Sequence, residues 1–237
     1  MKKHLQEICD KIYCINLDSR PDRWNRVTEE FKKYNILDLV HRVPGETKYS
    51  SSESNCISVH MDIIRNAKHN KLKSVLIFED DVEFLTKVWN GNEFIQSNPS
   101  IYIQSALSQL KGVKWDILFL GWRLPYQDFI NYKDISNNLF QSTLQTTTHA
   151  YIVNHTIYDT ILNNNPLDAC IHRNGPALDQ YYAYWLSHIS TCINIKPLIA
   201  GQYTDYSDIK NKHVNNNRWI DKMLKRFYVK SNGNNCS

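Results

Sequence analysis

Apolar residues along this chain fall into two patterns. Some form short unbroken runs, and others recur every third or fourth position through polar stretches. The runs Lys11-Ile12-Tyr13-Cys14-Ile15-Asn16-Leu17, Ser74-Val75-Leu76-Ile77-Phe78 and Trp115-Asp116-Ile117-Leu118-Phe119-Leu120-Gly121 are rich in strand formers. The second and third are continuously apolar rather than alternating, which predicts strands covered on both faces, as in a parallel sheet. Further strands are predicted over 39–43, closed by Pro44-Gly45, and over 148–153 and 192–195. Pro21 suits the first turn of a helix, after which Trp24, Val27, Phe31 and Tyr34 share one face. Ile57, Met61, Ile64 and Ala67 mark a second helix. Tyr158 to Leu162 reads as a third, and Asp179 opens an aromatic one through Tyr182 and Trp185. The Ser-rich stretch 48–55 reads as a surface loop. Strands alternating with helices predict an α/β fold with helices on both sides of the sheet.

The chain reads as a single domain over 1–237, with its core at about 11–220 and a basic amphipathic helix and Asn-rich tail over 218–237. In that helix Trp219, Met223, Leu224 and Phe227 take one side, while Lys222, Lys225 and Arg226 supply positive charge. It is expected to pack on the domain, with weak peripheral contact to an anionic membrane as the rival.

Composition narrows the class. The 237 residues are 42% hydrophobic and 22% charged, as in an ordinary globular domain. A net charge of +4 is too weak to argue for a nucleic-acid partner and is compatible with an anionic small molecule. No apolar run reaches membrane-span length, and the basic N-terminus lacks the apolar segment of a signal peptide, so a cytoplasmic location is expected. Cys9, Cys14, Cys56, Cys170, Cys192 and Cys236 show no CxxC pair, which favours reduced thiols.

The candidate chemistry begins at Glu79-Asp80-Asp81, directly behind a buried strand. Ligands of open α/β sheets bind outside the carboxyl ends of the strands. Adjacent carboxylates raise one another's pKa unless a cation compensates, and hard oxygen donors suit Mn²⁺ or Mg²⁺. Continued as a strand, the segment would place Glu79 and Asp81 on one side and Asp80 on the other. Arg20 and Arg23 follow the first strand, where guanidinium groups can meet phosphate. Asp179 reads either as a helix N-cap or as a catalytic base. His60 and His149 read as packing histidines, and His213 by itself as an exposed one.

These residues resemble glycosyltransferase family 25, which includes lipopolysaccharide and procollagen galactosyltransferases. The resemblance rests on Tyr13 to Leu17 with Arg20 and Arg23, on Cys56-Ile57-Ser58-Val59-His60, and on Val75 to Val82. Trp115 to Leu118 with Gly121, Ala150 to Val153, Leu178 to Tyr181 and Ser207-Asp208-Ile209 extend it over about 11–220. It implies a GT-A-like fold, a Rossmann-related mixed sheet with the donor and metal at its carboxyl edge. It also implies an inverting transfer of a hexose, galactose above all, from a UDP-sugar to a glycan or hydroxylated protein acceptor. Asp80 and Asp81 would hold the metal with Glu79 in support, Asn16, Leu17, Arg20 and Arg23 would contact the donor, and Asp179 would be the base. His213-Val214 with Trp219 is similar to a stretch of the procollagen branch, which implies that His213 completes the metal shell. Two departures stand out: Pro44-Gly45 where many members have Asp-Gly, and Asn55-Cys56 where Gly-Cys is usual. The competing readings are a degenerate member that binds nucleotide-sugar or glycan without turnover, and a metal-dependent phosphoester hydrolase.

Overall fold

The computed structural model describes residues 1–124, 132–173, 176–207 and 212–233. The chain opens with α1 (Lys2–Ile8), β1 (Lys11–Asn16), α2 (Pro21–Lys33), β2 (Val40–Pro44), α3 (Ser52–His69) and β3 (Ser74–Glu79). Next come the short strands β4 (Val82–Phe84), β5 (Lys87–Trp89) and β6 (Phe94–Gln96), then α4 (Pro99–Gln109) and β7 (Ile117–Phe119). β8 (Lys133–Ser136), β9 (Leu139–Gln141) and β10 (Ala150–Asn154) lead into α5 (Tyr158–Asn164) and α6 (Pro166–Arg173). A helical stretch follows as α7 (Leu178–Tyr181), a π-helical turn (Tyr182–Leu186) and α8 (Ser187–Ile189). The chain closes with β11 (Cys192–Ile195), β12 (Ala200–Gln202), β13 (Asp205–Ser207), β14 (Lys212–Val214) and α9 (Asn217–Gly233).

Eight strands form one mixed sheet in the order β2-β1-β3-β10-β7-β11-β9-β8. β1 runs parallel to both β2 and β3, and β7 runs parallel to β11. β10 lies antiparallel between β3 and β7. Successive side chains of β3 enter two different cores. Val75 and Ile77 pack on the side that holds Ile57, Met61 and Ile64 of α3, while Leu76 and Phe78 pack on the side that holds Val27 and Phe31 of α2. This is why the run is apolar without alternating. The α/β class and the helices on both faces are as the sequence predicts, and the sheet is mixed, as the resemblance implies, rather than parallel throughout.

Some boundaries differ. The stretch read as a loop over 48–55 already contains the start of α3, because Ser51 is its N-cap: its side chain accepts from the Ser54 amide at 3.0 Å. The serines that look like loop residues are cap chemistry. Asp179 is not an N-cap either. It lies in the first turn of α7, whose N-cap is Ala177. The sequence pattern does not predict α1 and α4, since their buried stripes are thin: only Leu5 is buried in α1, and Pro99, Ile103 and Ala106 in α4. In α9, Ile220, Met223 and Leu224 are buried against the domain and Lys87 of β5 pairs with Asp221 at 2.7 Å, so the apolar side is occupied as expected. The side chains of Arg226 and Phe227 lie outside the described residues, as do Asp208 and Ile209. Among the described residues, no helix is long and apolar enough to cross a membrane.

Candidate active site

β3 ends at Glu79, and the chain turns through Asp80 and Asp81 into β4. Strand alternation therefore does not extend past Glu79, and the partners of the three carboxylates separate them instead. All three line a cleft of about 1240 Å³ at the carboxyl edge of β1 and β3. Asp80 is buried, accepting from Asn16 Nδ2 at 2.7 Å and from Arg23 Nη1 at 3.1 Å. Burial pushes its carboxyl above the usual range, with Asn16 and Arg23 opposing. Glu79 Oε1 accepts from the Thr148 hydroxyl at 2.7 Å and faces His60 Nε2 at 3.7 Å, too long for a hydrogen bond. Burial raises Glu79, but His60 and Thr148 outweigh it and hold the carboxyl below its ordinary value.

Asp81 is the least compensated of the three. Its Oδ2 accepts from Gln202 Nε2 at 3.1 Å, and its Oδ1 is buried with no hydrogen-bond partner among the described residues. Burial, then the charges of Glu79 and Asp80, push this carboxyl up to about 8. An unpartnered buried carboxylate oxygen is costly to leave alone. A divalent cation would satisfy it, so the donor set fits a hard metal ion.

The predicted donor residues play different parts. Asn16, 1% exposed, uses Nδ2 for Asp80 and for the Arg20 carbonyl at 3.0 Å, while its Oδ1 accepts from Arg42 Nε at 2.9 Å. It therefore orients the acid as well as lining the cleft. Leu17 lines the cleft and is seated by Gly45, where a Cβ would come within 2.6 Å of Leu17 Cδ2. Arg23 joins α2 to Asp80 and also donates to the Tyr206 carbonyl of β13. Arg20 pairs with Asp22 at 3.0 and 2.8 Å and is not among the residues lining the cleft.

Asp179 lines the same cleft from α7, half-buried, with Oδ1 accepting from the Gln180 amide at 2.8 Å. α7 packs on α3, which sets Asp179 on the α3 wall, whereas Asp80 is held on the Arg23 side. His213 is not brought in. Its ring is exposed on β14 against Tyr206, at 5.5 Å between centroids, and it does not line the cleft. The β13–β14 pairing sets it opposite Tyr206, which itself lines the cleft. His60 and His149 are fully buried, and His149 Nε2 lies 3.2 Å from the Ala200 carbonyl. The sequence reading missed Thr148 and Gln202, polar residues with no motif around them. It also missed Arg123, Arg218 and Lys222 as cleft residues, although the last two stand four apart on one helical face.

No protein-family model matches this chain, and no curated protein does. Some solved structures are similar in outline. One is a glycosyltransferase involved in the glycosylation of the major capsid of PBCV-1, at 12% identity over 74% of each chain and a TM-score of 0.45. A second is A197 from STIV, at 8% identity over 87% of this chain and 94% of that one, TM-score 0.46. A third is mannose-1-phosphate geranyltransferase from Thermus thermophilus, at 6% identity over 78% and 72%, TM-score 0.40. Likenesses this distant transfer no function, which has to rest on the site itself. That site has an acidic floor, a base-capable carboxylate on one wall and four cationic side chains, Arg23, Arg123, Arg218 and Lys222, around it. The combination suits a metal-bridged anionic group beside a nucleophile that must lose a proton.

Proposed function

We propose that this chain is an inverting, metal-dependent glycosyltransferase that moves a hexose, galactose in the first instance, from a UDP-sugar to a hydroxyl of a glycan or hydroxylated side chain. The observation that carries the reading is Asp81. A carboxylate with one sealed, unpartnered oxygen and a raised pKa follows a buried strand into a cleft of about 1240 Å³. Asp81 and Asp80 would hold Mn²⁺ or Mg²⁺, which when bound supplies positive charge beside a diphosphate leaving group. Arg123, Arg218 and Lys222 line the same cleft and complement further phosphate charge. Asn16 and Arg23 keep Asp80 in place, and Glu79 adds charge to the cluster.

In the transfer, the acceptor oxygen bonds to the anomeric carbon as that carbon's bond to the β-phosphate oxygen breaks. The electron pair leaves with UDP, and the acceptor proton passes to the Asp179 carboxylate. A single displacement inverts the anomeric centre. The test is a UDP-release screen across UDP-sugars and acceptors, with Mn²⁺ or with chelator. UDP and a glycoside are expected with metal only. Full activity in chelator would refute the metal assignment, and release of UMP with sugar phosphate would identify a hydrolase instead.

A further inference from the structure

Cys56 and His60 stand four residues apart on α3 and therefore share a helical face. That face meets Glu79 at the end of β3, and the Cys56 Sγ, a His60 ring nitrogen and a Glu79 carboxylate oxygen lie within 4.8 Å of one another. His60 is fully buried, and its Nδ1 is engaged with the Tyr151 hydroxyl at 2.8 Å, which itself stands 3.5 Å from the Tyr182 hydroxyl. The other ring nitrogen, Nε2, is buried, faces Glu79 at 3.7 Å and has no hydrogen-bond partner among the described residues. With the proton on Nδ1, towards the Tyr151 hydroxyl, Nε2 carries a lone pair that a cation held between it and the Glu79 carboxylate would engage.

We propose that Cys56, His60 and Glu79 form a second metal site, one that takes a zinc-type divalent ion. A sulfur, nitrogen and oxygen donor set is softer than the all-oxygen pair Asp80 and Asp81, and selects zinc over magnesium or manganese. At ordinary zinc bond lengths, tetrahedral ligands stand about 3.4–3.6 Å apart. The His60–Glu79 separation of 3.7 Å is close to this, and the Cys56 Sγ lies within 4.8 Å of both. Tyr151 on the far ring nitrogen is the kind of partner that fixes a ligating imidazole. Both Cys56 and Glu79 line the cleft, so the fourth position opens towards it. The ion would tie α3 to β3 beneath the cleft floor, independently of any transfer chemistry.

Cobalt(II) titration of the chelator-treated full-length protein tests this without reference to activity. The expected result is a thiolate-to-cobalt charge-transfer band at one equivalent, displaced by zinc but not by excess magnesium. The band should persist in Asp81→Asn, vanish in Cys56→Ser, and require about 10- to 100-fold more metal in Tyr151→Phe. A folded wild-type protein without the band would overturn the site, as would a band that survives Cys56→Ser. Should Cys56→Ser fail to fold, alkylation of Cys56 in the wild-type chain decides. Stoichiometric zinc should block it, and equal labelling with and without zinc overturns the proposal. Because the readout is optical, its failure leaves the UDP-release test of the Asp80–Asp81 cation unaffected.

Discussion

Replacing Asp81 by Asn should abolish turnover and, in metal-free protein, raise stability at neutral and alkaline pH. Asp81 is pushed from 3.8 to about 8 by burial first, then by the charges of Glu79 and Asp80. Its folded-state pKa lies above its unfolded one, so the folded chain holds the proton more tightly. The stability from this group is fully present below the unfolded value and is lost as pH rises through the folded value. Between those limits the slope approaches about 1.4 kcal/mol per pH unit, or roughly 3–6 °C in Tm per unit for a chain of this size. Glu79 runs the other way: its carboxyl is held below the ordinary value, so its contribution is lost only as pH falls into the acid range. It cannot mask the alkaline limb.

The assay is thermal melting in chelator from about pH 5 to about pH 8 for the wild type and Asp81→Asn, repeated with Mn²⁺. Wild-type Tm should fall relative to that of the variant across that range, because an amide does not titrate, while Asp80, raised by burial, and His149, lowered by burial, titrate in both proteins. Mn²⁺ should restore the wild type at the alkaline end and leave the variant unchanged. Parallel curves for the two proteins, or equal stabilisation by Mn²⁺, would refute the reasoning, since Asp81 would then be neither strained by its neighbours nor a ligand.

Asp179→Asn should lose about 10²–10⁴ in turnover at unchanged melting temperature and near-normal UDP-sugar affinity. Kinetics with titration calorimetry would show it, and a collapse of donor affinity would make Asp179 a donor contact. Arg23→Met should cost about 3–5 kcal/mol in urea unfolding, because it leaves the buried Asp80 without its counter-charge. Gly121→Ala should destabilise by about 1–3 kcal/mol, since its Cβ would fall 2.0 Å from His149 Nε2 on a buried ring. Ile220→Ala should cost roughly 2–4 kcal/mol while the intact protein stays unbound to anionic vesicles in flotation, because the apolar side of α9 is already packed.

Much of the sheet was legible because burial on both faces leaves a simple mark. Val75 to Phe78 carry it, and β1, β3, β7, β10 and β11 all fall within a few residues of the expected runs. The antiparallel setting of β10 was not legible, since Ala150 to Val153 look the same whichever way the strand runs. Short strands such as β8 and β9 escaped because three or four residues are too few for a period. In the site, the acidic triplet and Asp179 were readable from their places behind a strand and before a helix. Their partners were not. Nothing near Gln202 or Thr148 marks them, because what joins them to Asp81 and Glu79 is the β12–β4 pairing and the antiparallel approach of β10.

The same geometry explains why three consecutive acids need not do one job. Each is distinguished by what the fold brings to it across long sequence distances. Arg23 on α2 faces Asp80 with a full positive charge at 3.1 Å, and Asn16 supplies a second donor, so both oppose the upward push of burial on its carboxyl. Glu79 receives a hydroxyl and a histidine ring. Asp81 receives a single neutral amide, and its charge stays unbalanced. A protein that needed only an acidic turn would have no reason to seal that oxygen from water. α9 brings Arg218 and Lys222 to the same cleft, and Trp219 stacks beneath Arg123 at 5.6 Å. The cleft thus gathers the acidic cluster at the end of β3 and the cationic side chains of α9 into one cavity. A metal-bridged diphosphate suits both at once, which is the arrangement a nucleotide-sugar donor presents.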